Sequence, residues 1–130
     1  QENIGIPVSC QIICSVGVLN IYHLPQVCDE FYDIGLPVHF NHILYPRYYD
    51  IRCIPKPIKI EIQKKLTKEL SKQFDADFLI HMLDEDIDSK YWEQFKQWTK
   101  AKDAYRGENF ALVFPEYYEL IKKHDPDFLS

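Results

Sequence analysis

The residues with the widest chemical range in this 130-residue chain are four cysteines, Cys10, Cys14, Cys28 and Cys53. Such residues can ligate a metal or cluster, form disulfides or act as nucleophiles, and their spacing decides among these roles. None forms a Cys-x-x-Cys pair, and Cys10 and Cys14 lie in a run that reads as a strand. Residues four apart on a strand are separated by about 13 Å along one face, too far to share a small cluster. Buried free thiols that hold no metal are therefore expected.

Other candidates thin out on the same kind of test. His39 and His42 invite a metal, but an odd separation on a strand sends them to opposite faces, so each is expected to be structural. Asp84, Asp86 and Asp88 alternate like the start of a calcium loop. Ser89 stands where that loop needs glycine and Phe95 where it needs a bidentate glutamate, so an acidic loop leading into a helix is the better account. Asp103 and Arg106, three apart at a helix end, are expected to pair with each other or with a cap. Trp92, Phe95 and Trp98 could stack bases, but on a chain of net charge −5 core packing is favoured and no nucleic acid is expected. No glycine-rich phosphate loop, nucleophile elbow or paired-carboxylate motif is present, so the catalytic residues are unknown.

The elements that position these residues follow from periodicity. Residues 7–19 are rich in Val and Ile, which suits a strand buried on both faces, as parallel sheets require. Leu24, Val27, Cys28, Phe31 and Tyr32 share a helical face that stops at Gly35. Pro37 to Tyr45 is a second strand-like run. Parallel strands over 8–16 and 37–44, joined by a helix over 24–34, make a βαβ unit. Tyr45 to Pro57 reads as an irregular but packed connection. A long helix follows, with Pro57 in its first turn and Ile58, Ile62, Leu66, Leu70 and Phe74 at every fourth position. The Ile58, Ile60, Ile62 alternation is a competing strand signal. Asp77 to Leu83 forms a shorter helix. Ser89 is expected to cap the next one, whose aromatic face is Tyr91, Trp92, Phe95, Trp98 and Tyr105 and whose stop is Gly107. A last helix starts at Pro115 and ends in Lys122, Lys123 and His124, cations where the helix dipole favours them.

With 46% hydrophobic and 15% aromatic residues the chain is globular rather than disordered. It has no stretch of 18 or more apolar residues, so no membrane span is expected. It opens on Gln1 with no charged or apolar leader pattern behind it, and a chain cut from something longer is expected. The strand count points the same way. Two parallel strands, apolar on both faces, need more cover than the remaining helices supply.

Three segments then follow one another at short spacing: Ser15-Val-Gly-Val-Leu-Asn20, Val38-His-Phe-Asn41, and Leu44 to Pro55 with the order Leu-Tyr-Pro-Arg-Tyr-Tyr-Asp-Ile-Arg-Cys-Ile-Pro. Trp92-x-x-Phe95, Asp103-Ala-Tyr-Arg106-Gly107-Glu-Asn109-Phe110 and Phe114-Pro115-Glu116 come later. This order, from about Ile6 to Tyr118, resembles the C-terminal half of twitch-domain radical S-adenosylmethionine (SAM) proteins, those of phages and environmental bacteria above all. The resemblance implies an α/β fold: a fragment of a partial parallel (β/α) barrel followed by a helical C-terminal cap. Residues 1–55 would supply late strands of the barrel and residues 56–130 the helical extension. It also implies a parent protein in the cytoplasm that binds SAM and a [4Fe-4S] cluster and makes a 5′-deoxyadenosyl radical, which takes hydrogen from an unknown substrate. Ser15, Asn20 and Asn41 are the residues it places near bound SAM, at the carboxyl ends of the strands.

The Cys-x-x-x-Cys-x-x-Cys motif that binds such a cluster is absent, since Gly17 stands where the third cysteine would follow Cys10 and Cys14. This chain alone is therefore expected to be inert and to carry no cofactor, its partner being the upstream half of the same protein. The alternative is a stand-alone α/β interaction module that docks an open sheet edge onto a partner.

Overall fold

A computed structural model describes residues 10–70 and 76–130. Strand β1 (Ile12–Val16), helix α1 (Leu24–Ile34) and strand β2 (Val38–His42) come first. Two short 3₁₀ turns follow, Arg47–Tyr49 and Ile51–Cys53, then α2 (Lys56–Glu69), α3 (Asp77–Met82), α4 (Lys90–Arg106), α5 (Phe110–Val113) and α6 (Pro115–His124). The strands pair in parallel with Ile13 opposite His39 and Ser15 opposite Asn41. The expected βαβ unit is present, with strands shorter than 8–16 and 37–44; residues 8 and 9 lie outside the described residues.

One expectation about the sheet is corrected. The strands are not buried on both faces. Cys14, Val16, Val38 and Phe40 turn toward the core, whereas Ser15, His39 and Asn41 are exposed and Ile13 is 64% exposed. The apolar run in β1 does not cover itself, because among the described residues no element packs on that second face.

The helices obey their predicted periods. α1 ends where Gly35 takes a left-handed conformation (φ 82°), open to glycine at little cost. Gly35 N–H then bonds Tyr32 O at 2.9 Å and Leu36 N–H bonds Phe31 O at 3.3 Å, the paired closure of a Schellman cap. Leu24 and Cys28 are buried, but Tyr32 is half exposed, outside the buried face assigned to it. In α2 Ile58, Ile62 and Leu66 are fully buried and Ile60 is exposed, which settles the Ile58, Ile60, Ile62 ambiguity as helix. Leu70 is half-buried and Phe74 lies outside the described residues.

α4 departs from expectation at both ends. Ser89 makes no capping bond; Asp88 Oδ1 accepts the Lys90 N–H at 2.9 Å instead. Tyr105 is 91% exposed, about two helical turns beyond Trp98. Gly107 stops the helix as predicted, at φ 64°. The short α5 was not legible; Asn109 caps it by accepting the Ala111 N–H at 2.9 Å.

One core runs through the chain, from Val16, Val18 and Ile21 beside the sheet to Tyr117, Ile121 and Phe128 at the end. Its aromatic centre is Phe95, fully buried, with Trp92, Trp98 and Phe128 rings at 5.5, 5.9 and 6.0 Å. Trp92 Nε1 donates to Asp125 Oδ2 at 2.8 Å, which ties α4 to the chain end. Replacing Phe95 by alanine should cost about 3–5 kcal/mol in urea unfolding, transfer and cavity terms together. A cost under about 1 kcal/mol would mean that this face is not packed as the ring geometry requires.

Candidate functional site

Ligands of parallel α/β sheets collect at the carboxyl ends of the strands, and that end carries a set of backbone and side-chain hydrogen bonds here. β1 runs into Gly17, whose backbone lies so close to its neighbours that an added Cβ would stand 3.0 Å from Tyr49 O and 3.1 Å from Ile43 Cδ1. Only glycine fits without displacing backbone. Val18 N–H donates to Tyr49 O at 2.9 Å, and Ile43 N–H to Val16 O at 2.9 Å. Both strand ends are thus stitched to the segment that follows β2. Tyr117 Oη, deep in the core, donates to Val18 O at 2.7 Å and fixes the same loop from α6.

The three residues assigned to the SAM pocket do come together. Ser15 and Asn41 are register partners on the exposed face. Asn20 is next to them but is otherwise engaged: its Nδ2 donates to Ser15 O at 2.8 Å and its Oδ1 accepts from Gly17 N–H at 2.9 Å. Its amide is spent on backbone, which leaves Ser15 and Asn41 as the side chains presented outward.

Behind the exposed face sits a charged cluster that the sequence did not reveal. Asp50 is fully buried and accepts from Arg52 through Nε at 3.2 Å and Nη2 at 2.8 Å, and from the Arg52 N–H at 3.0 Å. His42 Nε2 lies 3.0 Å from Asp50 Oδ1, so His42 is the satisfied histidine expected and His39 is exposed. Arg52 Nη1 reaches Glu85 at 3.2 Å. Burial pushes the Asp50 carboxyl up, but the Arg52 side-chain and backbone hydrogen bonds and the charge of His42 outweigh it and hold it below its ordinary value. Asp50-x-Arg52 is the only trace of this in sequence, an acid–base pair two apart that looks like any surface pair.

The acids singled out in sequence, Asp84, Asp86, Asp88 and Asp103, are bound to structural tasks. Asp84 accepts from Gln63 at 2.8 Å, Asp86 from Lys59 Nζ at 2.7 Å, and Asp88 caps α4. The calcium reading has no support from this arrangement. Asp103 and Arg106 do not pair with each other. Asp103 Oδ2 accepts the Phe110 N–H at 2.9 Å and so clasps α4 to α5, while Arg106 stands 3.8 Å from Glu108. Among the described residues no three His, Cys, Asp or Glu side chains gather as a metal site.

The cysteines are free thiols, Cys28 and Cys53 buried, Cys14 half-buried and Cys10 exposed against the expectation that all are buried. Burial pushes Cys28 and Cys53 up to about 12 and raises Cys14. Cys14 lies in β1, Cys28 in α1 and Cys53 in the second 3₁₀ turn, so the three come from three separate elements.

An open cleft of about 500 Å³ lies between α1, α2 and α6, lined by Tyr22, Gln26, Glu61, Lys65, Glu116 and Glu119 among others. Its central cation is already committed: Lys65 Nζ donates to Tyr22 O and sits 3.9 Å above the Tyr22 ring. The cleft lies on the helical flank rather than at the strand ends. No known protein family, curated protein or solved structure matches the chain.

Asp50→Asn removes the charge that Arg52 and His42 surround, and should cost about 3 kcal/mol at neutral pH, as breaking a buried pair does. Because the folded carboxyl titrates below its ordinary value of 3.8, its contribution is complete above that pH and is lost as the pH falls through the folded value. The stability gap between the native chain and the variant should therefore narrow on acidification, read by urea unfolding at successive pH values. A gap that stays constant down to pH 2 would contradict this role for Asp50.

Proposed function

We propose that this chain is the C-terminal portion of a cytoplasmic radical SAM enzyme of the twitch-domain type, contributing a late βαβ unit of a partial (β/α) barrel and its helical cap. The observation that carries the reading is the parallel pair with one covered and one open face, with Ser15 and Asn41 side by side near its carboxyl end. A sheet of this kind is stable when further strands continue it and its open face lines a closed interior. The motif order from Ser15 to Glu116 supplies the family, and the sheet supplies the reason why the rest of the barrel is needed.

Within that enzyme the upstream half would hold SAM and the cluster, which together would supply the hydrogen abstraction. This chain's own cysteines are not assigned to the cluster, since Cys14, Cys28 and Cys53 are spread over a strand, a helix and a turn. Its residues instead shape the substrate side. Ser15 and Asn41 offer a hydroxyl and an amide to bound SAM or substrate, and Asn20 frames them. Asp50, Arg52 and His42 keep the strand ends rigid behind that face.

The reading frame upstream of Gln1 tests this directly: it should encode Cys-x-x-x-Cys-x-x-Cys. A start codon there with no such motif would overturn the proposal and favour a stand-alone module that docks the same sheet edge on another protein. Anaerobic reconstitution of the 130-residue chain with iron and sulfide should give no stoichiometric cluster by absorbance or electron paramagnetic resonance. A stable cluster on it would contradict the assignment of its cysteines.

A further inference from the structure

The edge of β1 that faces away from β2 is partly filled by a side chain. In a parallel ladder alternate residues turn both backbone groups to the same neighbour. Ile12 N–H donates to Pro37 O at 2.8 Å and Val16 O accepts from Ile43 N–H at 2.9 Å. The even-numbered residues of β1 therefore serve β2. Ile13 and Ser15 turn their N–H and C=O groups the other way, followed by the Gly17 N–H.

Asn20 closes the carboxyl end of that outer edge. Its amide donates to Ser15 O and accepts from Gly17 N–H, at 2.8 and 2.9 Å. One residue of a neighbouring parallel strand makes this same pair of bonds, its N–H to one carbonyl and its C=O from the N–H two residues on. On the inner edge, the register puts His39 in that relation to Ile12 and Cys14. Below Asn20, the Ile13 N–H and C=O and the Ser15 N–H have no partner among the described residues. The Asn20 amide thus stands where the third rung of an outer ladder would be, and two rungs stay open.

We infer that Asn20 is a ladder stop: the outer edge of β1 receives one parallel strand, whose pairing ends at Ile13 C=O and Ser15 N–H, and the Asn20 amide holds the place of its next pairing residue, two further along. That the strand comes from the upstream half of the same polypeptide rests on the function proposed above. The incoming strand must turn away at the level of Ser15 and Asn41. This keeps a gap in the barrel wall beside those two side chains, at the end where ligands enter.

Amide hydrogen exchange, resolved by residue, tests the inference. In the 130-residue chain the Gly17 amide should be protected while those of Ile13 and Ser15 exchange freely. Asn20→Ala should expose Gly17, whereas Asn20→Asp, which keeps the acceptor, should leave it protected; the second variant separates this effect from general unfolding. In the longer polypeptide Ile13 and Ser15 should slow by on the order of 100-fold, with Gly17 still dependent on Asn20. Ile13 and Ser15 already protected in the short chain, or Gly17 protected in the longer Asn20→Ala protein, would overturn the ladder stop. A longer protein that binds a cluster but leaves Ile13 exposed would sink this inference and spare the enzyme assignment. Protection of Ile13 without a cluster would do the reverse.

Discussion

A parallel pair of strands satisfies only half of its backbone groups, because alternate residues point away from the partner. In β1 and β2, each five residues long, this leaves, among the described residues, an outer edge on each strand and one face without cover. Unpaired backbone groups and an exposed isoleucine are tolerable at a surface but give an isolated two-stranded sheet little stability of its own. The rest of the chain can be understood as the means by which this pair is held in shape. One face turns into the common core to which α1, α2, α4 and α6 also contribute, Asn20 blocks one end of one edge, and the segment after β2 ties the strand ends together.

That last function concentrates in a single carboxylate. Asp50 has no exposure to solvent, and a buried charge is costly unless it is paired and hydrogen-bonded. Arg52 supplies a two-pronged contact and a backbone N–H, and His42 adds a third neighbour from the end of β2. The reach of Arg52 to Glu85 then links strand end to the acidic loop before α4. Lys59, itself buried, anchors the same loop through Glu85 O and Asp86. Ser15 and Asn41 sit on the strands whose ends this network and the Asn20 amide tie down.

The βαβ unit and the long helices were legible because their signals are local and repeated: β-branched runs, i and i+4 apolar spacing, and glycines at helix ends. Tyr105 shows where this fails, since it keeps the period of Trp98 but lies beyond the surface that buries the stripe. Ser89 and Asp88 show a second limit: two capping residues stand side by side, and backbone geometry alone selects the aspartate. Ser15, Asn20 and Asn41 were singled out through motif order, and their spacing did not reveal that Asn20 would be spent on the strand edge. Asp50 was invisible because burial of a carboxylate depends on partners that no local pattern announces. The open face of the sheet was misjudged for a related reason: an apolar run records that a strand is meant to be covered, and not which polypeptide segment covers it.

The central claim is that this chain completes a radical SAM enzyme. Its most direct test is to express the polypeptide extended through the upstream reading frame, reconstitute it anaerobically, add SAM and dithionite, and measure 5′-deoxyadenosine. The account predicts a [4Fe-4S] signal in electron paramagnetic resonance and reductive SAM cleavage, both lost when the three upstream motif cysteines are changed to alanine. A folded longer protein that binds neither cluster nor SAM and releases no 5′-deoxyadenosine would contradict it.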